Sequence, residues 1–353
     1  MYQLNEKIRD LKPYDPVTGE MKVRLDANES CLNLPQDIIE EIQAAVAKID
    51  FNRYPDPNAT AVCKAFADYY GINSELVTAS NGSDELISII MSSFAMKGDK
   101  VVTVNPDFSM YNFYCSIAEL ECISVQKNED LTIDVDRLIK AVQDNNAAIV
   151  IFSNPCNPTS KGLSKDDVKR LISSVDALVV LDEAYMDFGD SSLLDEVDNY
   201  SNLVIFRTAS KAVGAAAVRL GFAVANKTIT TAIKAVKSPY NLNTLTQEIG
   251  RIIYTHHEYL TKKKKFIVSQ RQSLYNSLVE ISDKYPDHFE VISGSSNFVF
   301  VKTDVALKLF EYLKQRGTAI RYMGDYIRIS AGTNEENSVV ISQINDFLST
   351  AVN

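Results

Sequence analysis

The feature that most constrains this chain is a series of short, almost unbroken apolar runs between residues 75 and 225. VVTV (101–104), ISV (123–125), AAIVIF (147–152), ALVVLDE (177–183), NLVIFRT (202–208) and RLGFAVA (219–225) recur between stretches of helical character. A strand with one wet face alternates apolar and polar residues. A strand that is apolar at every position needs cover on both faces, as in a largely parallel sheet between helices. DVDRLIKAVQD (134–144) and SKDDVKRLISS (164–174) supply such helices, with Asp134 and Ser164 as N-caps. The expected fold is α/β, with a mainly parallel central sheet flanked by helices.

The pattern changes after Pro239. Residues 244–280 read as one long, mostly polar-faced helix, and FEVISG, NFVFVKT and YIRIS in the tail read as strands with helices between them. This predicts a smaller α+β domain. A chain of 353 residues suits two domains. The expected division is 30–245 for the large domain, with 1–29 and 246–353 forming a small domain with an N-terminal arm.

Charge and composition exclude several functions. With 36 Lys+Arg against 46 Asp+Glu the net charge is −10, which argues against nucleic-acid or membrane-surface binding. The lysine run Lys262–Lys265 spreads round a helix and reads as solvated surface. No apolar run approaches the roughly 18 residues of a membrane span. MYQLNEKIRD lacks a signal-peptide pattern, so the expected location is cytoplasmic. The cysteines (31, 63, 115, 122, 156) form no CxxC pair, and His256, His257 and His288 lack i, i+4 spacing. A disulfide framework, a metal site and a histidine triad are all disfavoured.

In open α/β sheets, ligands bind at the carboxyl ends of the strands. After VTAS comes NGSDE, where Gly82 allows close backbone approach, Ser83 can cap, and a helix N-terminus offers N–H groups to an anion; taken alone it reads rather as a plain well-capped helix. After VVTV comes NPDFSMY, with Phe108 as either core or stacking platform. After AAIVIF, SNPCNPTS forms a rigid turn presenting Asn157, and after ALVVL comes DEAY, with Asp182 ending a buried strand. Such an acid is costly unless paired with a cation or used as a cap. After NLVIF, RTASKAVGAAAVRLGF carries Ser210, Lys211 and Arg219. A lysine there is paired or expelled unless its amine does chemistry. A lysine nucleophile, a buried acid, anion donors and an aromatic ring at one sheet edge are what pyridoxal phosphate requires.

Nearly the whole chain resembles the fold-type-I aminotransferases, and within them the histidinol-phosphate aminotransferase family. The resemblance rests on LDANES (25–30), RYPDP (53–57), NGSDE, PDFSMY (106–111), NPCNPTS (154–160), LDEAYMDF (181–188), RTASKAVGAAAVRLGF, SPYNLN (238–243), SSNFVFV (295–301) and RISAGT (328–333), in the family's order. It implies that Lys211 holds pyridoxal 5'-phosphate as a Schiff base and shuttles the proton, and that Asp182 keeps the ring nitrogen protonated. Asn157 and Tyr185 then bind the ring's 3-oxygen, and Phe108 stacks on the ring. Gly82, Ser83, Asp84, Ser210 and Arg219 surround the phosphate. Tyr54 reaches the phosphate of a neighbouring subunit, which implies a homodimer with shared active sites. Arg321 and Arg328 bind the substrate anion, and Tyr14 and Asn28 line the substrate side.

The implied reaction is ping-pong amino transfer from L-histidinol phosphate to 2-oxoglutarate, in histidine biosynthesis. Threonine-phosphate decarboxylases and aromatic amino-acid aminotransferases share these cofactor residues, and no motif separates them. The chain departs from the family pattern at Ser160, where a glycine is usual, at Cys156, and in the short spacer YMGDYI between Arg321 and Arg328. Ligand-sensing regulators of this fold carry a preceding helix-turn-helix module, for which the pattern beginning near residue 12 leaves no room.

Overall fold

The computed structural model describes residues 2–13 and 17–351. Its central sheet has seven strands in the order Val77–Asn81, Leu220–Ala225, Leu203–Thr208, Leu178–Asp182, Ile149–Ser153, Lys100–Asn105 and Glu121–Gln126. All six apolar runs are therefore strands. All neighbouring pairs are parallel except those of Leu220–Ala225, which runs against both neighbours.

The runs are apolar throughout because their alternating side chains enter two separate cores. Val102, Val150, Val179, Leu203 and Ile205 pack in one cluster, while Val101, Ile149, Val180, Val204 and Phe206 pack in the other. Helices cover both faces, and the predicted caps form: Asp134 accepts from Arg137 N–H, and Ser164 from Asp167 N–H.

A second, antiparallel sheet has the order Arg321–Met323, Tyr326–Ser330, Phe298–Thr303 and Phe289–Ile292. Its own core joins Leu274, Val299, Val301, Leu309, Ile327 and Ile344 to Val23 and Leu25. The N-terminal segment is tied in by a short parallel pair, Val23–Arg24 with Thr318–Ala319.

Two expectations need correction. The long helix after Pro239 is broken: Thr244–Thr255 and His257–Lys284 meet at His256, whose ψ of 59° is not helical. Ile253 and Tyr254 of the first half and Leu260 at the start of the second pack in the large core, whereas Leu274, Leu278 and Ile281 pack in the small one. The lysine run is also not uniformly solvated. Lys263 is only 2% exposed, and its ammonium donates to Leu32 O at 2.9 Å.

Candidate active site

The carboxyl ends of the six strands that share one direction and the start of the reversed strand lie along one edge of the large sheet. Because Leu220–Ala225 runs backwards, Arg219 at its beginning reaches the edge that its neighbours reach at their ends. This reversal brings Arg219 to Asp84 and Ser210. Arg219 Nη2 lies 3.3 Å from Asp84 Oδ2, and Nη1 lies 3.5 Å from Ser210 Oγ.

The helix Gly82–Ser93 begins at this edge, with Gly82 at φ +72°. A Cβ at Gly82 would stand 2.7 Å from Arg219 Nη2, and one at Gly221 would stand 2.5 Å from Ser83 N. The cradle therefore closes only around two glycines, leaving first-turn N–H groups and a guanidinium for an anion. Ser83 is not the cap. It lies in the first turn, and Glu85 Oε2, four residues on, instead accepts from Asn81 N–H at 2.7 Å.

Asp182, at the end of its strand, is buried. Tyr111 Oη donates to its Oδ2 at 2.9 Å and Ala184 N–H to its Oδ1 at 3.1 Å. Burial pushes its carboxyl up to about 6, against these two donors. A buried carboxylate bonded by neutral donors fits a cationic ring nitrogen. Phe108 meets Tyr111 edge-on, ring centroids 5.6 Å apart.

Lys211 Nζ donates to Ala27 O at 3.1 Å and lies 5.7 Å from the centroid of the Tyr185 ring. Asn28, at φ 54°, donates through Nδ2 to Tyr185 Oη at 2.8 Å, so that the hydroxyl keeps its own proton to give. Its backbone is held from the small sheet: Asn28 N–H donates to Ser330 Oγ, and Asn297 Nδ2 donates to Asn28 O, both at 2.9 Å.

Arg328 Nη1 donates to Asn157 Oδ1 at 2.6 Å and Nη2 to Asp26 O at 2.7 Å. With its oxygen engaged, Asn157 presents its Nδ2 as a donor, as an electron-rich ring oxygen requires. The spacer YMGDYI is a tight hairpin that sets Arg321 directly opposite Arg328 in register, on one face of the small sheet.

Most of the sequence-derived residues thus converge: Gly82, Ser83, Asp84, Ser210 and Arg219 in one group, and Lys211, Tyr185, Asn28, Asn157 and Arg328 in another, with Asp182 and Phe108 joined through Tyr111. Tyr54 does not join them. It is 82% exposed and stacks on Tyr240 at 4.6 Å. Tyr14 lies outside the described residues. Tyr111 itself had no assigned role. Its signal in the sequence was faint, a tyrosine three positions beyond Phe108, one helical turn along. Ser160 adopts φ 62°, a conformation that explains why glycine is expected there. It is held by a 2.5 Å hydrogen bond to Ser296 Oγ.

The glycine cradle, the buried acid and the lysine fit a phosphorylated cofactor with a basic ring nitrogen and a carbonyl. The family described as aminotransferase class I and II matches residues 20–344. A histidinol-phosphate aminotransferase of Clostridium novyi is 39% identical over 342 residues, covering 96% of this chain and 95% of that protein. The chain belongs to the class I and II aminotransferases and, among them, to the histidinol-phosphate aminotransferase family.

In fold it superposes on the histidinol-phosphate aminotransferase of Sinorhizobium meliloti in complex with pyridoxal-5'-phosphate, with a TM-score of 0.87, 20% identity, and coverage of 99% and 98% of the two chains. It also matches an L-threonine-O-3-phosphate decarboxylase of Porphyromonas gingivalis, with a TM-score of 0.79, 22% identity, and coverage of 93% and 99%. Shape alone therefore does not separate the two chemistries.

Proposed function

We propose that this enzyme transfers the amino group of L-histidinol phosphate to 2-oxoglutarate by a ping-pong route, giving imidazole-acetol phosphate and glutamate, with pyridoxal 5'-phosphate held by Lys211. The cofactor, when bound, supplies an electron sink that makes the amine's Cα–H acidic, and it stores the amino group between half-reactions. The chain's own residues do the rest. First-turn N–H groups at Gly82, Ser83 and Asp84, with Ser210 and Arg219, bind the phosphate and fix the ring's position. Asp182 holds a proton on the ring nitrogen, Phe108 covers the ring face, and Asn157 Nδ2 and Tyr185 Oη donate to its oxygen. The Lys211 amine takes the proton from the substrate's Cα and returns it.

Arg328, with Arg321 across the hairpin, binds the substrate phosphate, for which two planar guanidinium forks suit a dianion. Asn28 lines the substrate side. The observation that carries this reading is the 2.6 Å contact between Arg328 and Asn157, which joins the substrate-anion group to a cofactor group. The enzyme works as a homodimer, Tyr54 reaching the partner's cofactor phosphate; supporting this, Phe51, Tyr54, Tyr240 and Leu245 form an exposed apolar patch. The proposed division is 30–245 for the large cofactor-binding domain, with 1–29 and 246–353 forming the small domain. The location is cytoplasmic, in keeping with the absence among the described residues of a helix long and apolar enough to cross a membrane.

The test follows the visible absorbance of the cofactor-loaded protein as histidinol phosphate, threonine phosphate or phenylalanine is added without keto acid. Conversion to the pyridoxamine form at the lowest concentration by histidinol phosphate is expected. Release of carbon dioxide from threonine phosphate would make the protein a decarboxylase instead.

A further inference from the structure

Tyr111 stands between two groups that the proposed mechanism uses. It lies in the helix Met110–Ile117, which begins just after Phe108, and it is fully buried. A buried phenol needs a hydrogen-bond partner, and this one donates to Asp182 Oδ2 at 2.9 Å. Its ring also meets Phe108 edge-on, at an interplanar angle of 85°. One side chain is thus braced against both the acid and the aromatic ring.

We infer that Tyr111 is a positioning residue for amino transfer: its hydroxyl aims the Asp182 carboxylate at the ring nitrogen, and its ring edge holds Phe108 against the ring face. The inference rests on the reading of Asp182 and Phe108 given above.

The electrostatics explain why a donor is needed here. The groups around Asp182 are Tyr111, the Ala184 N–H, and the carboxylates of Asp107 and Asp84. Asp182, Asp107 and Cys156 face Tyr111. Burial and the two neighbouring carboxylates favour a proton on Asp182, while the phenol O–H and the Ala184 N–H favour the ionised form. Without the hydroxyl, Asp182 loses one of two donors that keep it charged and oriented.

Tyr111→Phe removes the hydroxyl and keeps the ring edge, whereas Tyr111→Leu removes both. In the cofactor-free protein, carbon-13 NMR of the carboxyl groups, assigned by difference with Asp182→Asn, follows the Asp182 titration. In Tyr111→Phe its midpoint is expected to rise by about one pH unit, a tenfold gain in proton affinity. With cofactor supplied, Tyr111→Phe is expected to lower kcat about tenfold with KM unchanged. Tyr111→Leu is expected to weaken cofactor binding as well.

A double-mutant cycle guards against a purely structural effect. In an Asp182→Asn background, which removes the buried charge, Tyr111→Phe should cost nothing further. An unchanged Asp182 midpoint, or an additive double variant, would overturn the inference. Failure of the underlying reading looks different: Asp182→Asn would then keep full activity whatever Tyr111→Phe does to the cofactor-free titration.

Discussion

Gly221→Ala is the sharpest single test of the anion cradle, because the added methyl meets backbone rather than a movable side chain. Its Cβ would stand 2.5 Å from Ser83 N and 2.8 Å from Gly82 O. Relief to ordinary contact moves the Gly82–Ser83 peptide by about 0.9 Å. Gly221 cannot retreat instead, since its strand pairs on both sides, with Ser80 and with Thr208. A hydrogen bond of about 2.9 Å lengthened by that much is no longer a bond. Losing one or two charge-assisted bonds from the cradle costs about 3 kcal/mol, or about 150-fold in the cofactor's dissociation constant. Overpacking adds about 1–3 kcal/mol to the cost of folding. The assay is a visible-absorbance titration of cofactor-free Gly221→Ala with pyridoxal 5'-phosphate, beside the Tm of the same sample. A folded variant that binds the cofactor as tightly as the parent would refute the cradle.

Three further expectations are simpler to state. Lys211→Ala should fold and bind cofactor without turnover, and normal activity would remove the lysine from the mechanism. Arg328→Ala should raise KM for the phosphorylated amine about tenfold or more while cofactor retention barely changes; unchanged kinetics would take it out of the site. Lys263, whose burial pulls its ammonium down to about 8, gives a pH-dependent signal. The unfolded chain binds the extra proton between pH 8 and the ordinary lysine range, so this group's penalty is full below pH 8 and fades as pH rises. The Tm of the parent minus that of Lys263→Met should accordingly increase from pH 8 to 10.5, and a flat difference would contradict it.

The sheet was legible because every strand but the edge strand Glu121–Gln126 carries its double burial in five or six residues, a signal that needs no distant partner. The caps at Asp134 and Ser164 were local in the same sense. Other features depend on what a segment packs against. The break at His256 falls in one amphipathic stretch that serves two cores, and its composition is continuous across the break. Lys263 is polar in sequence and buried in fact because its amine finds the Leu32 carbonyl, 231 residues away in the chain. The strands Val23–Arg24, Thr318–Ala319 and Arg321–Met323 are too short to leave a periodic trace. In the site, lysine, acid and glycines announced themselves through motifs. Tyr111 was hidden in one, since only the fold reveals that the tyrosine after Phe108 turns toward Asp182.

Asn28 gives the molecule a mechanical linkage. The strand Tyr326–Ser330 carries Arg328 and ends at Ser330, whose hydroxyl accepts from the Asn28 backbone, and the Asn28 amide in turn grips Tyr185, three residues beyond a strand of the other sheet. The parts stand in series: two residues along a strand from Arg328 to Ser330, one asparagine, and a tyrosine whose ring lies 5.7 Å from Lys211 Nζ. Asn28→Ala would keep the backbone bond to Ser330 and remove the amide that holds Tyr185.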